Sequence, residues 1–139
     1  MTTTEYQKPL PRPTVVSRSF WEAAKQHRLV VQQCRQCGNR QHYPRPFCVR
    51  CLSTELDWKE CSGRGTVYAF TVVRQALNPA FAPDVPYVLA TVELEEGPRL
   101  CTNIVGCPPE AVRVGMPVHA VFEDVTPEVT LIKFRPAGP

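Results

Sequence analysis

The sequence of 139 residues is long enough for one modest hydrophobic core but too short for two full-sized domains. Hydrophobic residues make up 43% and charged residues 21%, which excludes a wholly disordered chain, and 15 prolines indicate short strands and many turns. The net charge of +3 is too small to indicate a nucleic-acid binder by itself, but it divides into +6 over residues 1–65 and −3 over residues 66–139.

The N-terminal ten residues contain no apolar run, and no stretch approaches the ~20 apolar residues of a membrane-spanning helix. We therefore expect a cytoplasmic protein without a membrane segment. In that reducing compartment, the seven cysteines are expected to bind metal or to stay as thiols rather than to form disulfides.

The chain begins with a proline-rich segment over residues 1–13, which predicts an extended arm that either lies on a partner or is a frayed terminus. Next, Ser19 and Glu22 match the capping-box pattern, which predicts the start of a short helix. Two aromatic residues at this start, Phe20 and Trp21, are expected to dock against another surface, either in this chain or in a partner.

Two Cys-x2-Cys pairs with ten residues between them follow, and the predicted metal ligands are Cys34, Cys37, Cys48 and Cys51. Each pair places two thiolates on one tight turn, and two facing turns supply a closed tetrahedral site. Gly38 follows the first pair, where the turn is expected to need a positive φ. Because a segment of about 30 residues cannot bury enough surface to fold alone, we expect a structural metal. Zinc is favoured over iron, although four cysteines do not separate the two metals, and a closed site has no open position for catalysis.

Four arginines lie among these cysteines, and no residue from 34 to 51 is acidic. Part of this positive charge offsets the −2 charge of a zinc tetrathiolate, and the remainder either stays solvated or meets phosphates or an acidic partner. Together with one arginine that follows the ribbon, the candidates for phosphate contacts are Arg35, Arg40, Arg45, Arg50 and Arg64.

The rest of the chain alternates apolar and polar residues between turn signals, which predicts strands over 66–74, 87–95, 99–105, 117–124 and 129–135. A short helix-compatible segment, 108–113, separates the third strand from the fourth, and this order predicts a five-stranded OB-fold barrel. The predicted fold is therefore mostly β. Its predicted units are an arm and short helix over 1–28, a zinc ribbon over 29–61 and an OB-fold over 62–139.

The segment 76–86 is long for a connection between strands and is rich in proline. It carries Leu77, Phe81 and Val85, which a partner or an acyl chain would cover unless the loop folds back on the barrel. With Phe20 and Trp21, these residues form the predicted partner interface.

The remaining cysteines and the histidines are scattered through the sequence. Cys101 lies in a predicted strand and is expected to be a small buried side chain. Beside the ribbon, His42 is the histidine placed to contact a ligand, although a surface position is expected. No Ser/His/Asp set, Cys/His/Asn set or phosphate-binding glycine loop occurs, so we predict no catalytic residue.

The order of these features resembles a family of small bacterial and archaeal proteins, long known as a domain of unknown function, in which a rubredoxin-like zinc ribbon precedes an OB-fold. The resemblance covers nearly the whole chain. The motifs that carry it are Phe20-Trp-Glu, Leu29-Val-Val-Gln-Gln-Cys-Arg-Gln-Cys-Gly38, Tyr43-Pro-Arg-Pro46, Cys48-x2-Cys51, Ser62-Gly-Arg-Gly-Thr-Val-Tyr68, Pro86-Tyr87, Val92-Glu-Leu-Glu-Glu-Gly97, Val114-Gly-Met-Pro-Val118 and Phe134-Arg-Pro136.

The resemblance implies an accessory subunit with structural zinc that is not an enzyme on its own. Such subunits pair with thiolase-superfamily enzymes that act on acyl-CoA, namely β-ketothiolases, acyltransferases and retro-aldolases of steroid side-chain breakdown. The partner would supply the catalytic Cys and His, in a heterotetramer built around a partner dimer. This chain would stabilise the partner and help to bind the CoA thioester.

Two alternatives compete with that reading. Zinc ribbons and OB-folds both bind nucleic acids, and Tyr68 and Phe70 would suit base stacking as well as a barrel interior. The acidic OB half disfavours this alternative, because a groove that follows a nucleic-acid strand should be positive. The other alternative is a free-standing acyl-CoA carrier without an enzyme partner.

Overall fold

The computed structural model describes residues 6–138, which form two sheets joined to one short α-helix. The helix and strands are α1 (Arg18–Lys25), β1 (Val30–Cys34), β2 (Arg40–Gln41), β3 (Leu56–Glu60), β4 (Arg64–Val73), β5 (Tyr87–Leu94), β6 (Arg99–Ile104), β7 (Pro117–Asp124) and β8 (Thr130–Pro136). The first sheet has the order β2-β1-β3 and is the ribbon, and the second is a closed barrel of order β4-β5-β6-β8-β7.

The barrel confirms the predicted OB-fold, and its strands lie within two residues of the predicted bounds. Neighbouring strands are antiparallel except β6 and β8, whose parallel ladder consists, over the described residues, of the pair Ile104 and Phe134. In β4, the pairing register shifts between Val67 and Ala69, which marks a bulge. Since a bulge increases bend and twist, this long strand can pair with β5 and also close the barrel against β7.

Helix α1 begins earlier than predicted, so the proposed capping box of Ser19 and Glu22 is wrong. The residue before the first helical position is Ser17, which places Ser19 inside the first turn. The Ser17 hydroxyl does not cap the helix, because it accepts a hydrogen bond from the backbone N–H of Thr14 at 2.9 Å. Within residues 6–138, no helix has the length and apolar character needed to cross a bilayer.

The helix, the ribbon and the barrel share one hydrophobic core. Phe20 of the helix, Val31 of β1 and Phe134 of β8 belong to the same buried cluster, and Phe134 is its largest fully buried side chain. Along β5 the burial alternates strictly, as expected for a strand with one face toward the core. The ribbon is therefore held against the barrel, while the proposed domain bounds at 28/29 and 61/62 stay predictions.

The N-terminal arm lies on the chain itself where it is described. Residues 1–5 of the predicted arm lie outside the described residues, and the following segment has no regular structure. Lys8 forms an ion pair with Asp84, and its ammonium lies 5.6 Å from the ring centroid of Phe81. Both partners belong to the 3-10 helix Pro79–Asp84, so the arm packs against the loop between β4 and β5.

Candidate metal centre and adjoining cleft

The four predicted metal ligands lie together at one end of the ribbon: Cys34, Cys37, Cys48 and Cys51. Their Sγ atoms all lie within 4.8 Å of one another, and the closest separations are 3.5 Å and 3.6 Å. Tetrahedral zinc with Zn–S bonds of ~2.3 Å requires sulfur separations of about 3.8 Å. The cluster therefore has the dimensions and the donor set of a structural tetrathiolate metal site.

Two turns with the same backbone geometry present these thiols, the first knuckle (residues 34–39) and the second knuckle (residues 48–53). In the first, the N–H of Gly38 donates to the carbonyl of Cys34 at 3.0 Å, and in the second, the N–H of Leu52 donates to that of Cys48 at 2.9 Å. The predicted positive φ of Gly38 is confirmed at 77°, and Leu52 has the equivalent φ of 66°. Sequence reasoning missed Leu52 because a non-glycine residue rarely adopts this conformation.

Hydrogen bonds make the thiols of the cluster unequal. A backbone hydrogen bond lowers the pKa of Cys34. Burial raises the pKa of Cys48, but hydrogen bonds from the backbone of the second knuckle bring it down to about 6. The amide of Ser53 lowers the pKa of Cys51, whereas burial and the neighbouring thiols raise it to about 12. A divalent cation would replace the protons that the cluster retains, and this is the way in which metal binding releases protons.

Two buried glutamines hold the second knuckle in place. The side-chain oxygen of Gln32 accepts from the amide of Gln41 and from the backbone N–H of Arg45, both at 2.8 Å, and its own amide donates to the carbonyl of Arg45 at 2.8 Å. Gln41 also donates to the carbonyl of Phe47 at 3.1 Å and accepts from the N–H of Val49 at 3.0 Å. Neither glutamine carries a sequence signal of burial, because glutamines in a short strand resemble solvent-exposed positions.

Two of the five arginines proposed for phosphate contacts form ion pairs with carboxylates of this chain. A guanidinium nitrogen of Arg35 lies 2.9 Å from Asp57, and one of Arg64 lies 2.8 Å from Glu95. Their charge is therefore partly offset within the chain.

The other three proposed arginines form no ion pair with the described part of the chain, residues 6–138. Arg40 donates to the main-chain oxygen of Glu96 at 3.4 Å, a contact without a carboxylate. Arg45 and Arg50 are exposed and form no ion pair within residues 6–138. These three arginines are the ones that remain available to an anionic ligand.

The predicted partner interface is only partly exposed. Phe20 is 8% exposed and belongs to the core, so its assignment to an interface with another protein is wrong, and the half-buried Trp21 packs edge-on against it. Phe81 and Val85 are half-buried because their loop folds back on the chain. Leu77 is 91% exposed and remains a candidate contact for a partner.

A cleft of about 480 Å³ separates the helix and ribbon from strands β6 and β8 of the barrel. Its lining includes Trp21, Tyr43, Cys101 and Ile132. The predicted burial of Cys101 is wrong, because inward positions of β6 alternate with outward ones and Cys101 faces out. The N–H of Cys101 donates to the hydroxyl of Tyr43 at 2.9 Å, which ties the ribbon to the barrel across the cleft.

His42 lines the same cleft, and the expected surface position is wrong. Its ring lies between Phe20, with centroids 5.0 Å apart, and Tyr43, with centroids 4.2 Å apart. The Nδ1 atom is buried and has no hydrogen-bond partner within residues 6–138. Burial lowers the pKa of His42 to about 4, so the ring is neutral near pH 7.

The aromatic residue best placed for base stacking is already covered. Tyr68 is half exposed on the outside of the barrel, and the guanidinium of Arg99 lies 3.8 Å from its ring centroid. Arg99 in turn donates to Glu93 at 2.9 Å. This ring face is therefore occupied by an ion-paired side chain of the same protein, which does not favour the nucleic-acid alternative.

Comparison with known proteins gives two adjoining family matches. Residues 21–57 match the rubredoxin-like zinc ribbon domain of ChsH2, and residues 58–123 match the C-terminal OB-fold domain of ChsH2. A solved structure named "Ltp2-ChsH2(DUF35) aldolase" is similar with a TM-score of 0.84 and 44% identity, over 92% of this chain and 99% of the matched one.

Curated relatives fall into two groups by length. A "DUF35 domain-containing scaffold protein" of Methanocaldococcus jannaschii is 39% identical, over 85% of this chain and 84% of that protein. A "Probable enoyl-CoA hydratase alpha subunit" of Thermomonospora curvata is 47% identical over 93% of this chain. This chain spans only 40% of the length of that hydratase subunit, so the larger part of the relative has no counterpart here.

Proposed function

Because the chain belongs to the DUF35 family of proteins with a rubredoxin-like zinc ribbon and an OB-fold, we propose that it is an accessory subunit of an enzyme complex that acts on acyl-CoA thioesters. Its partner is a thiolase-superfamily enzyme that forms or cleaves a C–C bond and that supplies the catalytic residues. Two copies of this chain flank a dimer of the partner. The chain stabilises the partner and contributes to the binding of the thioester.

One observation carries this proposal, the similarity to nearly the full length of a chain of the Ltp2-ChsH2 aldolase. The match covers 99% of that chain and 92% of this one at 44% identity, so nearly all of that chain has a counterpart here. The similarity to the hydratase alpha subunit is of a different kind, since 60% of that relative lies outside the match. An accessory role in a C–C bond-cleaving complex is therefore better supported than a hydratase activity.

The metal site supports a structural role within this proposal. The four thiolates fill a tetrahedral shell, which leaves no position at which a metal would bind water or substrate. Residues Cys34, Cys37, Cys48 and Cys51 would hold zinc, and the bound ion would fix the two knuckles of the ribbon against each other. The chemistry of the thioester then belongs to the partner subunit.

The charges that suit a CoA thioester lie on the ribbon. Coenzyme A carries several phosphate charges, and guanidinium groups bind phosphate oxygens through paired hydrogen bonds. Arg40, Arg45 and Arg50 have no carboxylate partner among residues 6–138, so they are better suited to this role than Arg35 and Arg64.

The test is purification of the affinity-tagged chain from the organism that encodes it, followed by mass spectrometry of proteins that co-elute in stoichiometric amounts. We expect a thiolase-superfamily enzyme, and we expect the reconstituted pair but not the isolated chain to turn over a CoA thioester. Elution of the chain alone or with nucleic acid, or turnover of a thioester by the isolated chain, would refute the proposal.

A further inference from the structure

The two cysteine knuckles have the same backbone but different surfaces. In both, the N–H of the first cysteine donates to the carbonyl five residues later, at 2.8 Å in each case. The first knuckle exposes polar side chains such as Gln36. The second knuckle and the residue before it expose apolar side chains: Phe47 is 41%, Val49 57% and Leu52 70% exposed. One metal-binding turn thus presents a small apolar surface that its structural counterpart lacks.

Leu52 is in a backbone conformation that does not favour its own side chain. Its φ of 66° lies in the left-handed region, where Gly38 occupies the equivalent position of the first knuckle. A side chain with a Cβ is strained there, and glycine is the residue that this turn favours. Because most of the Leu52 side chain is in solvent, packing within the chain does not compensate for the strain. A leucine at this position therefore suits a contact outside the chain.

The charge of the same turn indicates what makes that contact. Arg50 lies between Val49 and Leu52, is exposed and forms no ion pair within residues 6–138, and no residue from 34 to 51 is acidic. A phosphate group alone would satisfy the guanidinium but would leave the flanking apolar side chains in water. A protein surface that is apolar in the middle and carries a carboxylate at its edge would satisfy both.

We infer that the second knuckle, with Phe47, Val49, Arg50 and Leu52, is a docking surface for the enzyme subunit of the complex. This inference rests on the proposed function. Val49 and Leu52 enter an apolar depression of the enzyme subunit, and Arg50 pairs with a carboxylate at its rim. The buried Gln41 presents the turn rigidly, because its amide bonds to the backbone of both Phe47 and Val49. The assignment leaves Arg40 and Arg45 for the phosphates of CoA.

The experiment measures the affinity of the purified chain for the enzyme subunit recovered with it, by calorimetry. Three variants alter the surface: Leu52→Gly, Val49→Ser combined with Leu52→Gly, and Arg50→Glu. The matched control is Gln36→Ser, at the position of the first knuckle that corresponds to Arg50. Metal content and thermal unfolding of each variant show whether the ribbon remains folded.

We expect the double variant and Arg50→Glu to bind the enzyme subunit at least tenfold more weakly, and the control to bind like the wild type. We also expect Leu52→Gly to raise the unfolding temperature of the isolated chain while it weakens binding. A residue with a merely structural role would not move these two readouts in opposite directions.

Wild-type affinity in the double variant and in Arg50→Glu would overturn the docking surface and leave the proposed function standing. Recovery of no enzyme subunit with the wild-type chain would overturn the proposed function and the docking surface together. A dimer of the isolated chain that Arg50→Glu dissociates would assign the surface to a second copy, which also overturns the inference.

Discussion

Replacement of Gln32 by alanine tests whether a side-chain network positions the second knuckle. Gln32 is 4% exposed, and its amide takes part in three hydrogen bonds at 2.8 Å, one to Gln41 and two to the backbone of Arg45. Each intramolecular hydrogen bond contributes a net ~1 kcal/mol, and a group left unsatisfied away from water costs ~1–3 kcal/mol. We therefore expect Gln32→Ala to lower the free energy of unfolding by about 3 kcal/mol.

The matched control is Gln33→Ala, since Gln33 is the next residue of β1 and its side chain forms no hydrogen bond within residues 6–138. For a chain of this size, about 3 kcal/mol corresponds to a fall in the unfolding temperature on the order of 10 °C. The assay is thermal unfolding of both metal-loaded variants, followed by circular dichroism, with the rate of metal loss to a chelator measured in parallel. Unfolding temperatures of the two variants that agree within about 2 °C would refute the reasoning.

Three further predictions follow from the ligands, charges and burial described above. We expect elemental analysis to find one zinc per chain. Cys48→Ser should lose the metal and destabilise the ribbon, and full zinc content in that variant would contradict the assignment of Cys48 as a ligand. Arg40→Ala or Arg45→Ala should raise the KM of the assembled complex for a CoA thioester by roughly ten- to a hundredfold. The KM of the wild-type complex should also rise with salt concentration. An unchanged KM in both variants would show that these arginines do not bind the phosphates of CoA. Burial lowers the pKa of His42 in the folded chain to about 4, whereas in the unfolded chain this histidine binds a proton near pH 6.5. The free energy of unfolding should therefore fall by up to roughly 3 kcal/mol as the pH drops from 6.5 to 4. His42→Phe should flatten this pH dependence, and an equal slope in both proteins would refute it.

The barrel and the metal ligands could be predicted from the sequence because their signals are local. Alternation of apolar residues and turn signals gave strand bounds within two residues, and paired Cys-x2-Cys turns are recognisable without knowledge of the fold. The alternation rule also explains the error at Cys101. The strand was predicted correctly, but which of its faces is inward depends on the neighbours Leu100 and Thr102, which are buried in the barrel.

The cleft could not be predicted, because its lining comes from segments that are distant in sequence. Trp21 and Tyr43 meet Cys101 and Ile132 only after the ribbon has packed on the barrel. Burial of His42 has the same cause, since a histidine between polar residues carries no sequence signal of a buried position. The capping-box error at Ser19 has a local cause: Ser17 and Thr14 exchange hydrogen bonds across three residues, and the helix begins directly after Ser17.

The barrel should open locally most easily at the junction between the parallel strands β6 and β8. Elsewhere neighbouring barrel strands align over three or more residues, but here, within residues 6–138, Ile104 and Phe134 are the aligned pair. Two bonds support this pair, from the N–H of Val105 to the carbonyl of Phe134 at 2.7 Å and from the Thr102 hydroxyl to the carbonyl of Ile132 at 2.9 Å. Native-state amide exchange should therefore be fastest along these two strand edges. They also form the barrel wall of the cleft, so we expect transient separation at this junction to widen the cleft without unfolding the ribbon.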